Sequence, residues 1–207
     1  EDLMSVLQGP ELLISLRGTL GLQYGKGGRP GVAAHYVPAT RQLSLAKNAG
    51  AGSLAHEWFH AFDHYMGEKM FQHVSPSHFA SVSWLNSSQM QLSSNKEPHP
   101  LSLLLAECFR AIMLSEEGEE PSDMFHASRV ADQKLKIVYY SKPEEMSARA
   151  FEAFVEDTKP TNSFLVKGSR YSEEAKMGLY PQGEQRHRIN KAFQNYFSLL
   201  GRVLKRA

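Results

Sequence analysis

The sequence predicts an α+β fold, mostly helical, with a small antiparallel sheet. Three observations carry that prediction. Residues 33–46 alternate apolar and polar side chains on either side of Pro38-Ala39-Thr40-Arg41, which reads as a hairpin closed by a turn. Residues 55–66 hold Trp58, Phe59, Ala61, Phe62, Tyr65 and Met66 with no internal proline or glycine, the pattern of a largely buried helix. The second half carries helical patterns at 101–114, 123–138, 144–156 and 186–205, the last with Ile189, Phe193, Tyr196, Phe197, Leu200 and Val203 as its apolar stripe.

In order along the chain, residues 1–8 read as the end of a helix, and the loose alternation of 11–24 as one or two strands. The glycine-rich stretch 25–31 is a loop without the Lys-Ser/Thr ending of a phosphate-binding loop. Residues 42–46 return as the second hairpin strand. Gly50-Ala51-Gly52 then gives a flexible approach to the buried helix, with Ser53 placed to cap it. Residues 75–78 suit a short helical start, and 86–100, rich in Ser, Asn and Gln, a loop. Ser122 is positioned to cap the 123–138 helix. Ser141 is positioned to cap the next, with Pro143 in its first turn. Residues 163–186 are irregular yet carry Phe164, Leu165, Tyr171, Leu179 and Tyr180, so they are expected to pack across the domain near the functional cleft.

Composition sets bounds on function. The chain has 207 residues, 42% hydrophobic and 22% charged, enough for one domain, 1–207, with a real core. A net charge of +1 argues neither for nor against nucleic acid, and the basic run Arg186, Arg188, Lys191, Arg202, Lys205 and Arg206 reads as a solvated helix face. No apolar run is long enough to span a bilayer, so no membrane partner is expected. The chain opens at Glu1 rather than a methionine, which points to a truncated N-terminus. The one cysteine, Cys108, lies in an apolar run and reads as a small core residue, consistent with a reducing compartment.

The chemistry concentrates in His56-Glu57-Trp58-Phe59-His60. Histidines four apart stand one turn apart on the same helix face, so both imidazoles can reach one metal ion. Glu57, about 100° around the axis, can contact a metal-bound water without ligating. This is the H-E-x-x-H arrangement of zinc metallopeptidases, with the glutamate as general base. A catalytic zinc takes three protein ligands and keeps one position open. Asp63 is one turn beyond His60 and is expected to hydrogen-bond a ligand histidine. His64 continues the same face, but three such histidines reach too far for one ion. The 144–154 helix offers Glu145 and Glu152, about 10 Å apart along the axis, so only one of them can ligate; spacing alone leaves the choice open. The small Ser147, Ala148 and Ala150 allow that helix to pack closely on the His56 helix.

The runs 50–65, 141–154 and 180–186 together resemble a bacterial and phage group, the CLCA_X-type proteins and the related large-polyvalent-protein-associated metallopeptidase domain. The likeness spans roughly 12–200. The two helices that carry the histidines and glutamates are also similar to those of anthrax lethal factor, a gluzincin-like protease. That resemblance implies a zincin-like fold, Zn2+ as cofactor, and Glu145 as the third ligand beside His56 and His60. It places Tyr139 or Tyr140 as an oxyanion-assisting hydroxyl. Arg149 occupies a position where lethal factor has a glutamate, which leaves a supporting role for it behind the ligands open. The resemblance further implies a polypeptide substrate bound extended along an edge strand, for which residues 42–47 are the choice because they precede the metal helix directly. The implied setting is the bacterial cytoplasm, with nucleic acid entering only as an activator. The competing reading is a non-catalytic or partner-activated module of a mobile-element or phage-related protein, in which zinc cross-links two helices.

Overall fold

The computed structural model describes residues 1–25, 34–47, 53–71, 78–86, 99–159, 165–166 and 168–206. The expectations for the 25–31 loop, the Gly50-Ala51-Gly52 approach, the 75–78 start and the 86–100 loop lie wholly or largely outside these residues.

Helices α1 (Asp2–Val6) and α2 (Glu11–Ile14) lead to strand β1 (Gly21–Tyr24). The first part of 11–24 is therefore helical rather than extended. Pro10 precedes the first turn of α2, and Leu13 and Leu16, three apart, are both buried on one side. Leu16, Arg17 and Gly18 then take positive φ values of 48, 59 and 75°, turning the chain into β1. Strands β2 (Ala34–Val37) and β3 (Gln42–Leu45) form the expected hairpin, with Tyr36 opposite Leu43. A 3₁₀ turn at Pro38–Thr40 closes it, ending in a left-handed Arg41.

The sheet departs from expectation in two ways. β1 pairs parallel with β3, Gly21 opposite Gln42, so the three-stranded sheet is mixed rather than antiparallel. The strand order is β1-β3-β2, which makes residues 42–45 the central strand and not an edge. Their burial agrees: Leu43, Ser44 and Leu45 are buried, whereas β1 leaves Leu22 and Tyr24 exposed. A strand hydrogen-bonded on both sides has no free edge to offer a peptide.

Beyond the sheet come α3 (Ser53–Met70), α4 (Ala80–Asn86), α5 (Pro100–Met113), α6 (Asp123–Leu135), α7 (Pro143–Asp157), α8 (Glu173–Lys176) and α9 (Gly183–Leu204). Ser122 caps α6 as expected, its hydroxyl accepting from Phe125 N–H at 3.2 Å and donating to Ile112 O at 2.7 Å. α6 ends three residues early because Lys136 turns left-handed at φ 54°. Ser141 does not cap α7. Lys142 holds the N-cap position, Pro143 is the first helical residue, and the Ser141 hydroxyl donates to Asp132 Oδ2 at 2.6 Å instead.

Helices α3, α7 and α9 meet in an aromatic core. Phe151 stacks on Phe59 at 4.8 Å between ring centroids and meets Phe193 edge-on at 5.8 Å. Trp58 stacks on Phe62 and donates its indole N–H to Ile14 O at 3.0 Å, tying α2 to α3. Ala148 and Ala150 are fully buried, so α7 approaches α3 closely. Gly67 serves the same end on the other side of α3: a Cβ there would lie 2.4 Å from the His78 carbonyl oxygen. The α3–α7 contact fixes the site, because α3 carries the histidines and α7 the glutamates.

Candidate metal centre

The four-residue spacing on α3 stacks His56 and His60 with their Nε2 atoms 3.0 Å apart. α7 brings Glu145 onto the same point: Oε2 is 3.3 Å from His56 Nε2 and Oε1 is 3.6 Å from His60 Nε2. Among the described residues these three form a group whose ligand atoms lie close enough to hold one metal ion. The donor set, two imidazole nitrogens and one carboxylate, is one that a divalent metal ion accepts. Two details fit a cation there. Glu145 Oε2 is buried with no hydrogen-bond partner among the described residues. The two Nε2 atoms face each other, which leaves room for one proton or one cation but not for two N–H groups.

The protonation pattern reflects the same crowding. Burial works to strip the His56 proton, yet the Glu145 and Glu152 carboxylates outweigh it and push that imidazole up to about 10. Burial, reinforced by the His56 charge, pulls His60 down to about 3. Glu145 is held at about 2: burial opposes its charge, but the contacts with His56 and His60 win. The three groups are thus shifted in different directions by burial and by one another's charge.

Glu152 is not a third ligand to the same point. Its Oε1 lies 2.7 Å from His56 Nδ1, the ring nitrogen turned away from the convergence point. Its Oε2 accepts a hydrogen bond from the Tyr180 hydroxyl at 3.0 Å. The 163–186 segment therefore does come to the site, through Tyr180.

Glu57 follows His56 on α3. Burial raises its carboxyl, while the His56 charge and the Tyr36 backbone N–H of β2 oppose that rise. Asp63 does not touch a ligand histidine. It is fully buried and accepts from Ser81 N–H at 2.9 Å and Ser81 Oγ at 2.5 Å, fastening α4 to α3. Its place in the helix, three residues after His60, turns it about 300° around the axis, and the neighbour it meets there is α4.

Tyr139 and Tyr140 have separate surroundings. Burial, and after it the Glu145 carboxylate, push the Tyr139 hydroxyl well above its ordinary value. The Tyr140 ring lies beneath the Arg149 guanidinium at 5.5 Å, and its carbonyl accepts from Arg149 Nη2 at 2.5 Å. Arg149 also donates to Leu179 O at 2.9 Å and Ser128 Oγ at 3.3 Å. It holds the Tyr140 turn and the 179–180 segment together and makes no hydrogen bond to the three converging side chains. Asp132 completes the support. Its carboxylate accepts from the backbone N–H groups of Tyr139, Tyr140 and Ser141 at 3.1, 2.8 and 2.9 Å, setting the turn that presents Tyr139. Sequence reasoning had no signal for this residue, an ordinary aspartate within a helix.

Arg186 is also not a solvated charge. It is buried, donating to Asp157 Oδ2 at 2.7 Å, Ser169 Oγ at 2.9 Å and Ala153 O at 3.2 Å, and so pins the start of α9 to the end of α7.

Residues 131–204 match the family model of large polyvalent protein-associated domain 1. The matched stretch contains Asp132, Tyr139, Glu145, Arg149, Glu152, Tyr180 and Arg186, and leaves out the His56–His60 helix. No curated protein and no solved structure matches the chain. The match is confined to 131–204 rather than the expected 12–200, and none of these comparisons supports a relationship to lethal factor or to a metallopeptidase family. No helix among the described residues is long and apolar enough to cross a membrane.

Proposed function

We propose that the protein is a zinc-dependent metallopeptidase. The observation that carries this reading is the convergence of His56, His60 and Glu145 from two helices on one point, with a spare carboxylate, Glu57, next in sequence to the first ligand. A zinc ion held there by His56, His60 and Glu145 would lower the pKa of a bound water to about 7 and polarise a carbonyl oxygen. Glu57 is the proton carrier. Burial pushes its carboxyl up, the direction that favours taking a proton. As water oxygen bonds to the peptide carbonyl carbon, one water proton passes to the Glu57 carboxylate. That proton then goes to the amide nitrogen as the C–N bond breaks, and the amine leaves neutral. Tyr139, whose hydroxyl is raised by burial and by the Glu145 carboxylate, is the side chain we assign to donate to the developing oxyanion. β2 is the edge strand packed against α3, and its Tyr36 hydroxyl hydrogen-bonds His64 of that helix at 2.8 Å. An extended polypeptide is expected to run alongside β2, in place of the central β3.

The test is metal analysis of the purified protein together with hydrolysis of a peptide library by wild type and Glu57→Gln. The variant should keep zinc and fold and lose hydrolysis by about 10²–10⁴-fold, the usual worth of a positioned base. Zinc binding with equal, or absent, hydrolysis in both proteins would assign the site to a metal cross-link between α3 and α7.

A further inference from the structure

Glu152 is 5% exposed and directs each of its oxygens at a different partner. Oε1 meets His56 Nδ1 at 2.7 Å and Oε2 meets the Tyr180 hydroxyl at 3.0 Å. An ionised carboxylate only accepts hydrogen bonds, so the Tyr180 hydroxyl donates and His56 Nδ1 carries its proton toward Glu152. In the neutral ring that a metal ligand requires, that tautomer leaves the Nε2 lone pair for the ion. Tyr180 is itself held in place from both sides. Arg149 donates to the carbonyl of Leu179 before it at 2.9 Å, and Arg186 to the carbonyl of Pro181 after it at 3.4 Å. Arg149 and Glu152 are one turn apart on α7, so one helix face grips the 179–180 segment at two points.

We infer that Glu152 and Tyr180 are positioning residues for the metal site: the Tyr180–Glu152–His56 chain fixes the ring plane and tautomer of His56, and the 179–181 segment is thereby coupled to metal loading. The inference rests on the zinc reading above. Partners of this kind behind a ligand histidine fix its tautomer and raise its basicity, and their loss costs about 10–100-fold in metal affinity. Removing the Glu152 charge also lets an amide present N–H to Nδ1, which would move the ring proton to Nε2 and block coordination. The Tyr180 hydroxyl acts only through Glu152, so its loss and that of Glu152 should not add.

The experiment is zinc affinity, by competition with a chromophoric chelator, for the full chain and for Tyr180→Phe, Glu152→Gln, the double variant and Glu145→Gln. Thermal midpoints are recorded on the metal-free proteins, and imidazole NMR on the zinc-bound ones. Glu152→Gln should bind zinc about 10–100-fold more weakly, Tyr180→Phe should lose a smaller factor, and the double variant should match Glu152→Gln. The downfield His56 Nδ1 proton should move upfield in each. Unchanged affinity in Tyr180→Phe and Glu152→Gln, beside a Glu145→Gln that loses zinc, overturns this inference and leaves the zinc reading standing. Additive losses that track the metal-free midpoints do the same, assigning the chain a purely structural role. If Glu152→Gln does not fold, Tyr180→Phe decides alone, since it removes one oxygen and keeps the ring. A wild type that binds no zinc overturns the zinc reading itself, and this inference with it.

Discussion

Tyr139 and Tyr140 are neighbours in sequence with different work to do. The Asp132 carboxylate gathers the three backbone N–H groups of 139–141, in a turn where the two rings meet edge to face at 5.2 Å. Burial and the Glu145 carboxylate push the Tyr139 hydroxyl up. Tyr140 gives its ring face and its carbonyl to Arg149. An oxyanion donor in a dry site contributes through its hydroxyl, whereas a cation–π platform contributes through its ring. Tyr139→Phe should therefore lower kcat on a peptide substrate by about 10²-fold, within the range seen for loss of one oxyanion donor, with zinc content unchanged. Tyr140→Phe keeps the ring and should leave kcat within about twofold, because the Arg149 contact survives. Steady-state kinetics with zinc analysis of each variant checks both. Equal losses in the two would show that the turn is only scaffolding.

At the scale of elements, Asp63 is the tie between α3 and α4. It is fully buried, and burial pushes its carboxyl up to about 7 although Ser81 donates to it twice. A folded-state pKa above the unfolded value means that the native state favours the protonated form. The stability this contributes is present in full below the unfolded pKa, near 4, and is lost as pH rises through about 7. His60 works in the opposite sense over part of this range, since its folded pKa is depressed to about 3 and its contribution is lost as pH falls. The comparison is therefore variant against wild type: urea midpoints of metal-free Asp63→Asn, minus those of wild type, should rise between pH 4.5 and 7. A difference that stays flat across that window would show that Asp63 is ionised throughout. The same elements mark what was legible in the sequence. Ser122 and Pro143 signal helix starts through local chemistry, and the start of α7 and the cap of α6 fall where those residues predict. His56, Glu57 and His60 are legible for the same reason, because a helix alone relates residues four apart. The position of β1 is not, since nothing within 21–24 announces a parallel register with 42–45. Glu145 against Glu152 was undecidable from spacing, and only a family likeness favoured the first. The part played by Glu152 depends on a partner 96 residues away and on Tyr180 28 residues away, contacts that exist only once α3, α7 and the approach to α9 have packed.

At the scale of the molecule, the candidate zinc site is a bolt between two of the three helices that build the aromatic core. One apolar cluster reaches from Leu3 and Leu7 through Trp58 and Phe151 to Phe197, and the site lies where α3 and α7 leave it. Metal-free, those helices meet at the site through His56, which lies between the Glu145 and Glu152 carboxylates at 3.3 and 2.7 Å. A cation there binds the folded chain and has no comparable site in the unfolded one, so it stabilises by mass action: about 4 kcal/mol at a thousandfold excess over Kd. For a chain of this size about 1 kcal/mol moves the melting midpoint by roughly 2–4 °C, so saturating zinc should raise it by about 8–16 °C over the chelator-treated protein. The chain has 9 histidines, and adventitious binding to others would also shift a midpoint. The variants separate the two. Glu57→Gln keeps all three ligands and should show the full zinc shift. Glu145→Gln removes the ligand supplied by α7, and with it the link between helices, so its midpoint should barely respond. Calorimetry at fixed protein concentration, with and without zinc, measures both. A zinc shift in Glu145→Gln as large as in wild type would place the stabilising ion elsewhere on the chain and leave α3 and α7 joined by their core alone.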